Sequence, residues 1–217
     1  LVLFYIEKIL SLCAQKIICT SFAEKTRYEN DKILIKNNAE VIQHGVKLSK
    51  SNISIKKSAD KINIISLSRV SEVKKPFDFI DICKKTLNKR NDFIFTWVGD
   101  GELMNECRKK CLKDNILKNS VNFVGSTNRP QDYLEKSDIF LSTSIYESFG
   151  LSIAEAMSQK SIVIARKIDG IEDLIKHKKT GYFFDSIDQA VELILSIDLN
   201  SKTNKEIITN AQNHLNK

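Results

Sequence analysis

Two glutamates, Glu147 and Glu155, stand eight residues apart in a segment that predicts a loop followed by a helix. Between them, Gly150 allows the backbone to approach a ligand closely, and a helix beginning at Leu151 presents free N–H groups that favour an anion. A carboxylate accepts several hydrogen bonds, so it suits the vicinal hydroxyls of a ribose or a hexose. The segment is therefore predicted to hold phosphate, ribose and hexose together.

Two basic side chains, Arg69 and Lys74, follow the first apolar run of the same region, within the sequence SRVSEVKKP at 68–76. Both are placed to reach the crevice beside the two glutamates, where their charges would neutralise a pyrophosphate. Taken alone, such residues are more often surface charges, and a glutamate such as Glu155 is more often a solvated helix residue. The pattern is more informative than its members because each of its elements follows a predicted strand.

Two turns that contain glycine complete the pattern. Gly99 and Asp100 lie in VGDGE, and Gly125 ends VNFVG, so each turn leads out of an apolar run. Turns of this kind are common, and Asp100 also fits the simpler interpretation of a turn-forming residue. We predict that the two turns lie near the same ligand as the glutamates.

The elements that must position these residues alternate between short apolar runs and amphipathic helices. Because most of the runs are apolar throughout, they indicate strands covered on both faces, and the fold class is α/β with a doubly wound parallel sheet. In such sheets, ligands bind at the carboxyl ends of the strands. Strands are predicted over 62–67, 93–98, 121–124, 139–141, 162–165 and 182–184, and helices over 76–87, 101–112, 131–136, 151–158, 170–175 and 187–197.

The first sixty residues have a different pattern. They predict a helix over 9–16, a strand over 17–19, a helix over 21–30 capped by Ser21, and a short strand over 41–42. One such piece cannot bury a core alone, so it is expected to be the end of another α/β domain. The predicted parts are an incomplete first domain (1–47), a linker (48–60), a ligand-binding domain (61–186) and a helical tail (187–217).

The composition is that of a globular protein, with 42% hydrophobic and 28% charged residues, and it excludes a disordered or collagen-like chain. The net charge of +7 suits an anionic partner such as a nucleotide or an anionic membrane face, although a solvated lysine-rich surface is the more common explanation. Only six of the 34 basic residues are arginine, which argues against sequence-specific nucleic-acid binding.

Cysteine usage indicates the compartment. The five cysteines show no framework spacing, which favours a reducing, cytoplasmic environment. Cys107 and Cys111 lie one helical turn apart, but no third ligand is near in sequence, so no metal site is predicted. No apolar run is long enough to cross a bilayer, and residues 1–6 make a poor secretion signal.

The motifs, taken in order, resemble those of the nucleotide-binding half of family 4 glycosyltransferases (glycosyl transferases group 1), which have the GT-B fold. Glu147 and Glu155 match the E-x7-E motif of that family within YESFGLSIAEAM. Arg69 and Lys74 match the arginine and lysine of its GRLxxxKG element. VGDGE, VNFVG, DGIEDLI and KTGYFFD match later blocks, and VIQHGV resembles the VIPNGV that closes the first domain.

The resemblance implies two Rossmann-like domains that face a cleft, with the donor bound by the second. Arg69 and Lys74 would hold the diphosphate and stabilise its leaving charge, Glu155 would bind ribose hydroxyls, and Glu147 would contact the donor sugar or phosphate. The catalytic residues implied are thus Arg69, Lys74 and Glu147. The other donor-binding residues that it implies are Phe149, Gly150, Leu151, Gly99, Asp100 and Gly125.

The activity implied is transfer of a hexosyl unit from a UDP or GDP sugar to a polysaccharide or a lipid-linked glycan, with retention of configuration and without a metal or other cofactor. Such an enzyme of polysaccharide or lipopolysaccharide synthesis would lie in the cytoplasm, peripherally at the inner face of the membrane. Two alternatives remain at this point: a non-catalytic module that binds a nucleotide sugar, and another GT-B enzyme such as a nucleotide-sugar epimerase. The E-x7-E motif with the Arg/Lys element argues against the epimerase.

The departures from the family pattern are few. Ser68 and Ser148 replace glycines, and Gln43-His44 replaces Pro-Asn, so His44 is interpreted as a linker residue rather than a catalytic one. Most of the family's first domain has no counterpart in these 217 residues. We therefore expect a fragment, a truncated gene product or one part of a split enzyme.

Overall fold

The computed structural model describes residues 2–34, 38–47 and 61–216. The linker predicted over 48–60 lies outside the described residues. In the described ranges, no helix combines the length and the apolar character needed to span a bilayer.

The N-terminal part contains α1 (Val2–Cys13), β1 (Ile17–Cys19), α2 (Phe22–Asn30) and β2 (Ala39–Val41). The two strands pair in parallel. The predicted cap of the second helix is confirmed, since the Ser21 hydroxyl accepts a hydrogen bond of 3.0 Å from the Glu24 N–H. The helix predicted over 9–16 was misplaced: it begins at Val2 and ends at Cys13 because the apolar run at the start of the chain is helical.

The remaining elements form one α/β unit. They are β3 (Ile62–Leu67), α3 (Pro76–Lys89), β4 (Phe93–Val98), α4 (Met104–Leu112), β5 (Val121–Gly125), α5 (Gln131–Leu134), β6 (Ile139–Ser142), α6 (Leu151–Ser158), β7 (Ile162–Arg166), β8 (Tyr182–Phe184), α7 (Ile187–Ser196) and α8 (Lys202–Leu215). The six strands are all parallel, in the order β5-β4-β3-β6-β7-β8. The predicted doubly wound sheet is therefore confirmed.

Both faces of this sheet are buried, which explains why its strands are apolar throughout. Successive residues of β3 pack into cores on opposite faces of the sheet. Ile64 packs with the helices α3, α4 and α7, and Ile65 packs with α5 and α6. The helix α8 packs against α6, where the Gln212 side chain donates to the Ser158 carbonyl. The last two helices are thus part of the packed unit.

The order of the strands reverses direction between β3 and β6, which lie side by side at the centre of the sheet. Chain connections leave these two strands in opposite directions, and a crevice opens at their carboxyl ends. The loops that follow β3 and β6 are the ones that carry the predicted site residues. The fold therefore brings those two loops together.

Two further helix predictions need correction. The helix predicted over 170–175 is a single 3-10 turn, Asp169–Ile171, followed by further turns. The helix predicted over 101–112 begins at Met104, because residues 102–103 form a turn in which the Leu103 N–H donates to the Val70 carbonyl at 3.1 Å.

Candidate functional site

The loops that follow β3 and β6 are joined by hydrogen bonds to the carbonyl groups of the loop after β3. The Ile145 N–H donates to the Val73 carbonyl at 2.9 Å, and the Thr143 hydroxyl lies 2.8 Å from the carbonyl oxygen of Lys74 and 3.1 Å from that of Lys75. Lys75 has a φ of 50°, a left-handed conformation that turns the chain sharply into α3. Thr143 thereby fixes the loop that carries Lys74 against the loop that carries Glu147.

Lys74 and Glu147 form an ion pair at this junction. The distance from the Lys74 Nζ to the Glu147 Oε1 is 2.6 Å, and the Ser144 hydroxyl donates to the same oxygen at 2.9 Å. Their side chains are only 21% and 15% exposed, so the pair is largely shielded from water. An ammonium has three N–H donors, so two remain available for an anion, and the second oxygen of Glu147 remains available for a hydroxyl.

The helix α6 begins next to this ion pair. Gly150 is its N-cap with a φ of 83°, and a Cβ there would lie 2.8 Å from the Ile171 Cγ2 atom. The Gly150 carbonyl accepts hydrogen bonds from the N–H groups of Ile153 and Ala154. The N–H of Leu151 is one of the first N–H groups of the helix, which have no partner within it. Such a helix start attracts an anion.

Phe149 precedes this helix start and is buried at 3% exposure. The His44 ring contacts it edge-on, with 5.4 Å between the ring centroids. The residue interpreted as a linker residue therefore packs against the predicted site, and it anchors the end of the N-terminal part there.

Glu155 lies one turn further along α6 and is half-buried. Burial raises the pKa of the Glu155 carboxyl above its ordinary value. Within the part of the chain that the structure describes, its carboxylate makes no hydrogen bond or ion pair. A half-buried acid without a donor is costly, and hydroxyl groups of a ligand would satisfy it.

Arg69 pairs with Glu102 rather than with Glu147. Its Nε donates to the Glu102 Oε2 at 3.1 Å, and its side chain is 72% exposed. The pKa of the Glu102 carboxyl lies below its usual value, mainly because its own backbone N–H donates to it and, to a smaller extent, because of the contact with Arg69. The two terminal amino groups of Arg69 keep four N–H donors for an anion at the rim of the crevice.

The two glycine turns bring the loops after β4 and β5 against the loop after β3. The Gly99 N–H donates to the Gly125 carbonyl at 3.0 Å, and a Cβ on Gly99 would lie 2.1 Å from the Ser68 carbonyl oxygen. Both glycines have positive φ, 128° and 99°. The Asp100 carboxylate accepts from the Gly101 N–H at 2.7 Å, as expected of a turn-forming residue.

Three residues that shape the site were not predicted from the sequence. Thr143 and Ser144 hold the two central loops, and Gly170 supports the Glu147 loop from the turn that follows β7. A Cβ on Gly170 would lie 1.5 Å from the Glu147 carbonyl oxygen, so only glycine fits this contact. Two features of the sequence could have pointed to these residues: Ser144 lies three residues before Glu147, and Gly170 lies shortly after a predicted strand.

The family model described as "Glycosyl transferases group 1" matches residues 35–214, which is most of the chain. The chain is 28% identical over 211 residues to an Escherichia coli UDP-Gal:alpha-D-GlcNAc-diphosphoundecaprenol alpha-1,3-galactosyltransferase, covering 91% of this chain and 54% of that protein. It is 31% identical over 153 residues to a Staphylococcus aureus poly(ribitol-phosphate) alpha-N-acetylglucosaminyltransferase, covering 65% and 31%. The chain thus spans about half or less of the length of these relatives.

Solved structures agree in fold. The crystal structure of TarM superposes with a TM-score of 0.83 at 26% identity, covering 97% of this chain and 42% of that one. Anabaena Alr3699/HepE in complex with UDP-glucose gives a TM-score of 0.80 at 23% identity, covering 93% and 59%. The six-stranded parallel sheet is that of GT-B glycosyltransferases. The chain belongs to the glycosyl transferases group 1 family.

Proposed function

We propose that this chain forms the donor-binding part of a retaining, metal-independent hexosyltransferase that uses a nucleoside-diphosphate sugar. The observation that supports it best is the Lys74–Glu147 ion pair of 2.6 Å at the start of α6. This arrangement offers cationic N–H donors, a helix start and a carboxylate within one crevice. A departing diphosphate and a sugar need those three groups.

The residues act on the leaving group. The oxygen of the acceptor hydroxyl bonds to the anomeric carbon, the bond from that carbon to the diphosphate oxygen breaks, and its electron pair stays on the diphosphate. The proton of the acceptor hydroxyl passes to the departing phosphate oxygen. The free N–H groups of Lys74, Arg69 and Leu151 stabilise the charge that develops there, and removing one such donor costs about 3 kcal/mol of transition-state stabilisation.

The two glutamates bind the two neutral parts of the donor, Glu147 the sugar and Glu155 the ribose. Glu147 keeps one oxygen on Lys74 and Ser144, and its other oxygen accepts a hydroxyl of the donor sugar. Glu155, half-buried and without a donor in the described structure, accepts the ribose hydroxyls. Phe149 and Gly150 position the backbone between these two carboxylates, while the Gly99 and Gly125 turns border the crevice.

The acceptor is a glycan or a lipid-linked sugar, by analogy with relatives whose names specify a diphosphoundecaprenol sugar and a poly(ribitol-phosphate). In this proposal the protein works in the cytoplasm, and its net charge of +7 favours contact with the anionic face of the membrane. Binding to vesicles with anionic lipid should then weaken as salt rises. Salt-insensitive binding, or none at low salt, would contradict this contact.

The transfer reaction is tested by incubating the protein with UDP- and GDP-hexoses that are labelled at the sugar, and with a short-chain polyprenyl-diphosphate sugar as the acceptor. We expect an α-linked product from an α-linked donor, identified by its anomeric proton coupling, with a yield that EDTA does not change. A β-linked product would contradict retention. Loss of the product in EDTA would contradict metal independence, and an altered donor sugar without transfer would indicate an epimerase.

A further inference from the structure

Arg166 is the last residue of β7 and takes no part in the donor contacts proposed above. Its side chain is largely buried, and its guanidinium carbon lies 5.4 Å from the centre of the Phe184 ring on the neighbouring strand β8. A guanidinium carries its N–H donors in one rigid plane, so a single side chain can bind two groups at fixed angles. The Phe184 ring, which belongs to the core, keeps that plane in place.

The two groups that Arg166 binds belong to different elements. Its Nε donates to the Thr143 carbonyl at 3.2 Å, in the loop that follows β6. Its Nη2 donates to the Asp78 carboxylate, in the first turn of α3. Arg166 therefore ties the loop after β6 to the start of α3.

Lys74 lies between these two attachments. The Thr143 hydroxyl is within hydrogen-bond distance of the Lys74 carbonyl, at 2.8 Å, and of the Lys75 carbonyl, at 3.1 Å. Asp78 lies in the helical turn that directly follows Lys75. The main chain of Lys74 is thus held by Thr143 and by the start of α3, and one guanidinium fixes both.

The orientation of Lys74 matters because its ammonium has two partners to serve. It pairs with Glu147 at 2.6 Å, and in the proposed function its remaining N–H donors bind the diphosphate. The four-carbon stem of lysine is flexible, so the side chain alone does not fix where those donors point. A displacement of the main chain would preserve the ion pair with Glu147 and turn the remaining donors away from an anion.

We propose that Arg166 is a positioning residue that sets the orientation of Lys74 toward the diphosphate of the donor. It acts through Thr143 and Asp78 rather than by touching the donor. The assignment rests on the proposed function, since the diphosphate is the group that Lys74 is oriented to bind.

The test compares the native chain with Arg166→Met and Arg166→Lys in two titrations, one with UDP or GDP and one with the corresponding nucleoside. We expect both variants to weaken the diphosphate by about tenfold, the effect of losing one charge-assisted hydrogen bond, and to leave the nucleoside Kd within about twofold. Arg166→Lys keeps a cation beside Asp78 but loses the planar guanidinium that also binds Thr143. It should therefore fold as the native chain does and still bind the diphosphate weakly.

A second measurement needs no ligand. The Ile145 N–H, which donates to the Val73 carbonyl at 2.9 Å, joins the two loops at this junction. Hydrogen exchange of this amide should be about tenfold faster in both variants, relative to the amides of β4, which report opening of the whole sheet. A role in global stability alone would accelerate both sets of amides together and would weaken nucleoside and diphosphate equally.

Arg90→Met is the matched control. Arg90 also pairs with an aspartate, Asp92, donates to a main-chain carbonyl, that of Leu195, and lies over a phenylalanine ring, that of Phe93, but it stands before the amino end of β4. This variant should change neither titration, nor the exchange of the Ile145 amide.

The proposal is overturned if the Arg166 variants bind the diphosphate as the native chain does, if they weaken nucleoside and diphosphate equally, or if the Ile145 amide exchanges at its native rate. Failure of the proposed function is seen separately, as a folded native chain that binds neither UDP nor GDP. The exchange of the Ile145 amide then still decides whether Arg166 holds the two loops together.

Discussion

Gly170 supports the Glu147 loop by direct backbone contact, and its replacement by alanine gives a sharp prediction. The new Cβ would lie 1.5 Å from the Glu147 carbonyl oxygen and 2.6 Å from its carbonyl carbon. Both atoms belong to the backbone, so no side-chain rotation relieves the clash. Since a Cβ does not approach such atoms within about 3.0 Å, the two segments must separate by about 1.5 Å.

The expected cost follows from that displacement. Overpacking of a well-packed site costs about 1–3 kcal/mol, and a shift of this size also lengthens the 2.6 Å contact between Lys74 and Glu147 beyond hydrogen-bond range. We therefore expect Gly170→Ala to lower the free energy of unfolding by about 3 kcal/mol. For a chain of this length, that lowers the Tm by roughly 6–12 °C.

The assay is thermal unfolding followed by circular dichroism, with nucleotide affinity measured on the same samples below the transition. Gly45→Ala is the control, because a Cβ there meets nothing within 4 Å, and its Tm should stay within about 2 °C of the native value. A Gly170→Ala chain as stable as Gly45→Ala, with native nucleotide affinity, would refute the argument that this glycine positions Glu147.

Three further predictions concern charged and buried groups. Lys74→Met should lower the free energy of unfolding in urea by about 3 kcal/mol, because it leaves the Glu147 carboxylate shielded from water and without its ion-pair partner. Lys85→Met is the control: it breaks an exposed ion pair of the same length and should cost under about 0.5 kcal/mol. Equal effects of the two variants would contradict the difference in burial. Burial raises the pKa of Glu155, so the native state binds more protons than the unfolded state between the ordinary and the raised pKa, and stability falls as pH rises through that window. Glu155→Gln should therefore raise the Tm at pH 7, flatten its dependence on pH and weaken nucleotide binding; an unchanged pH profile would contradict this. Burial raises the pKa of Cys107 to about 12 and that of Cys111 to about 11, and Cys83 and Cys19 are also buried. A thiol reagent at pH 8 should therefore modify only the exposed Cys13 rapidly, and all five cysteines after denaturation. Rapid reaction of a second thiol in the native chain would contradict the packing.

The sheet could be predicted from the sequence because its strands are short apolar runs with clear ends. The strands predicted over 62–67 and 93–98 have the bounds that the structure gives them. The helix predicted over 170–175 failed because Ile171, Leu174 and Ile175 have helical spacing but are buried by a series of turns. Spacing alone does not distinguish these two ways of burying apolar side chains.

The site was predictable only in part, for a related reason. Lys74 and Glu147 follow adjacent strands, so strand order alone brings their loops together. The partner of Arg69 depends on the conformation of another loop, and Glu102 could not be identified from spacing. The contacts of Thr143 are to main-chain carbonyls, which leave no signature in the types of the residues concerned.

The central claim is that the crevice at the start of α6 binds a nucleoside diphosphate. It is tested most directly by thermal unfolding with UDP, GDP and ADP, comparing the native chain with Glu155→Ala and Arg69→Ala. A nucleotide at a hundred times its Kd adds about 2.7 kcal/mol to stability, which raises the Tm of a chain of this size by several degrees. We predict such a rise with one of the diphosphates in the native chain and its loss in both variants. A well-folded native chain whose Tm none of the three raises, or variants that keep the full rise, would contradict the claim.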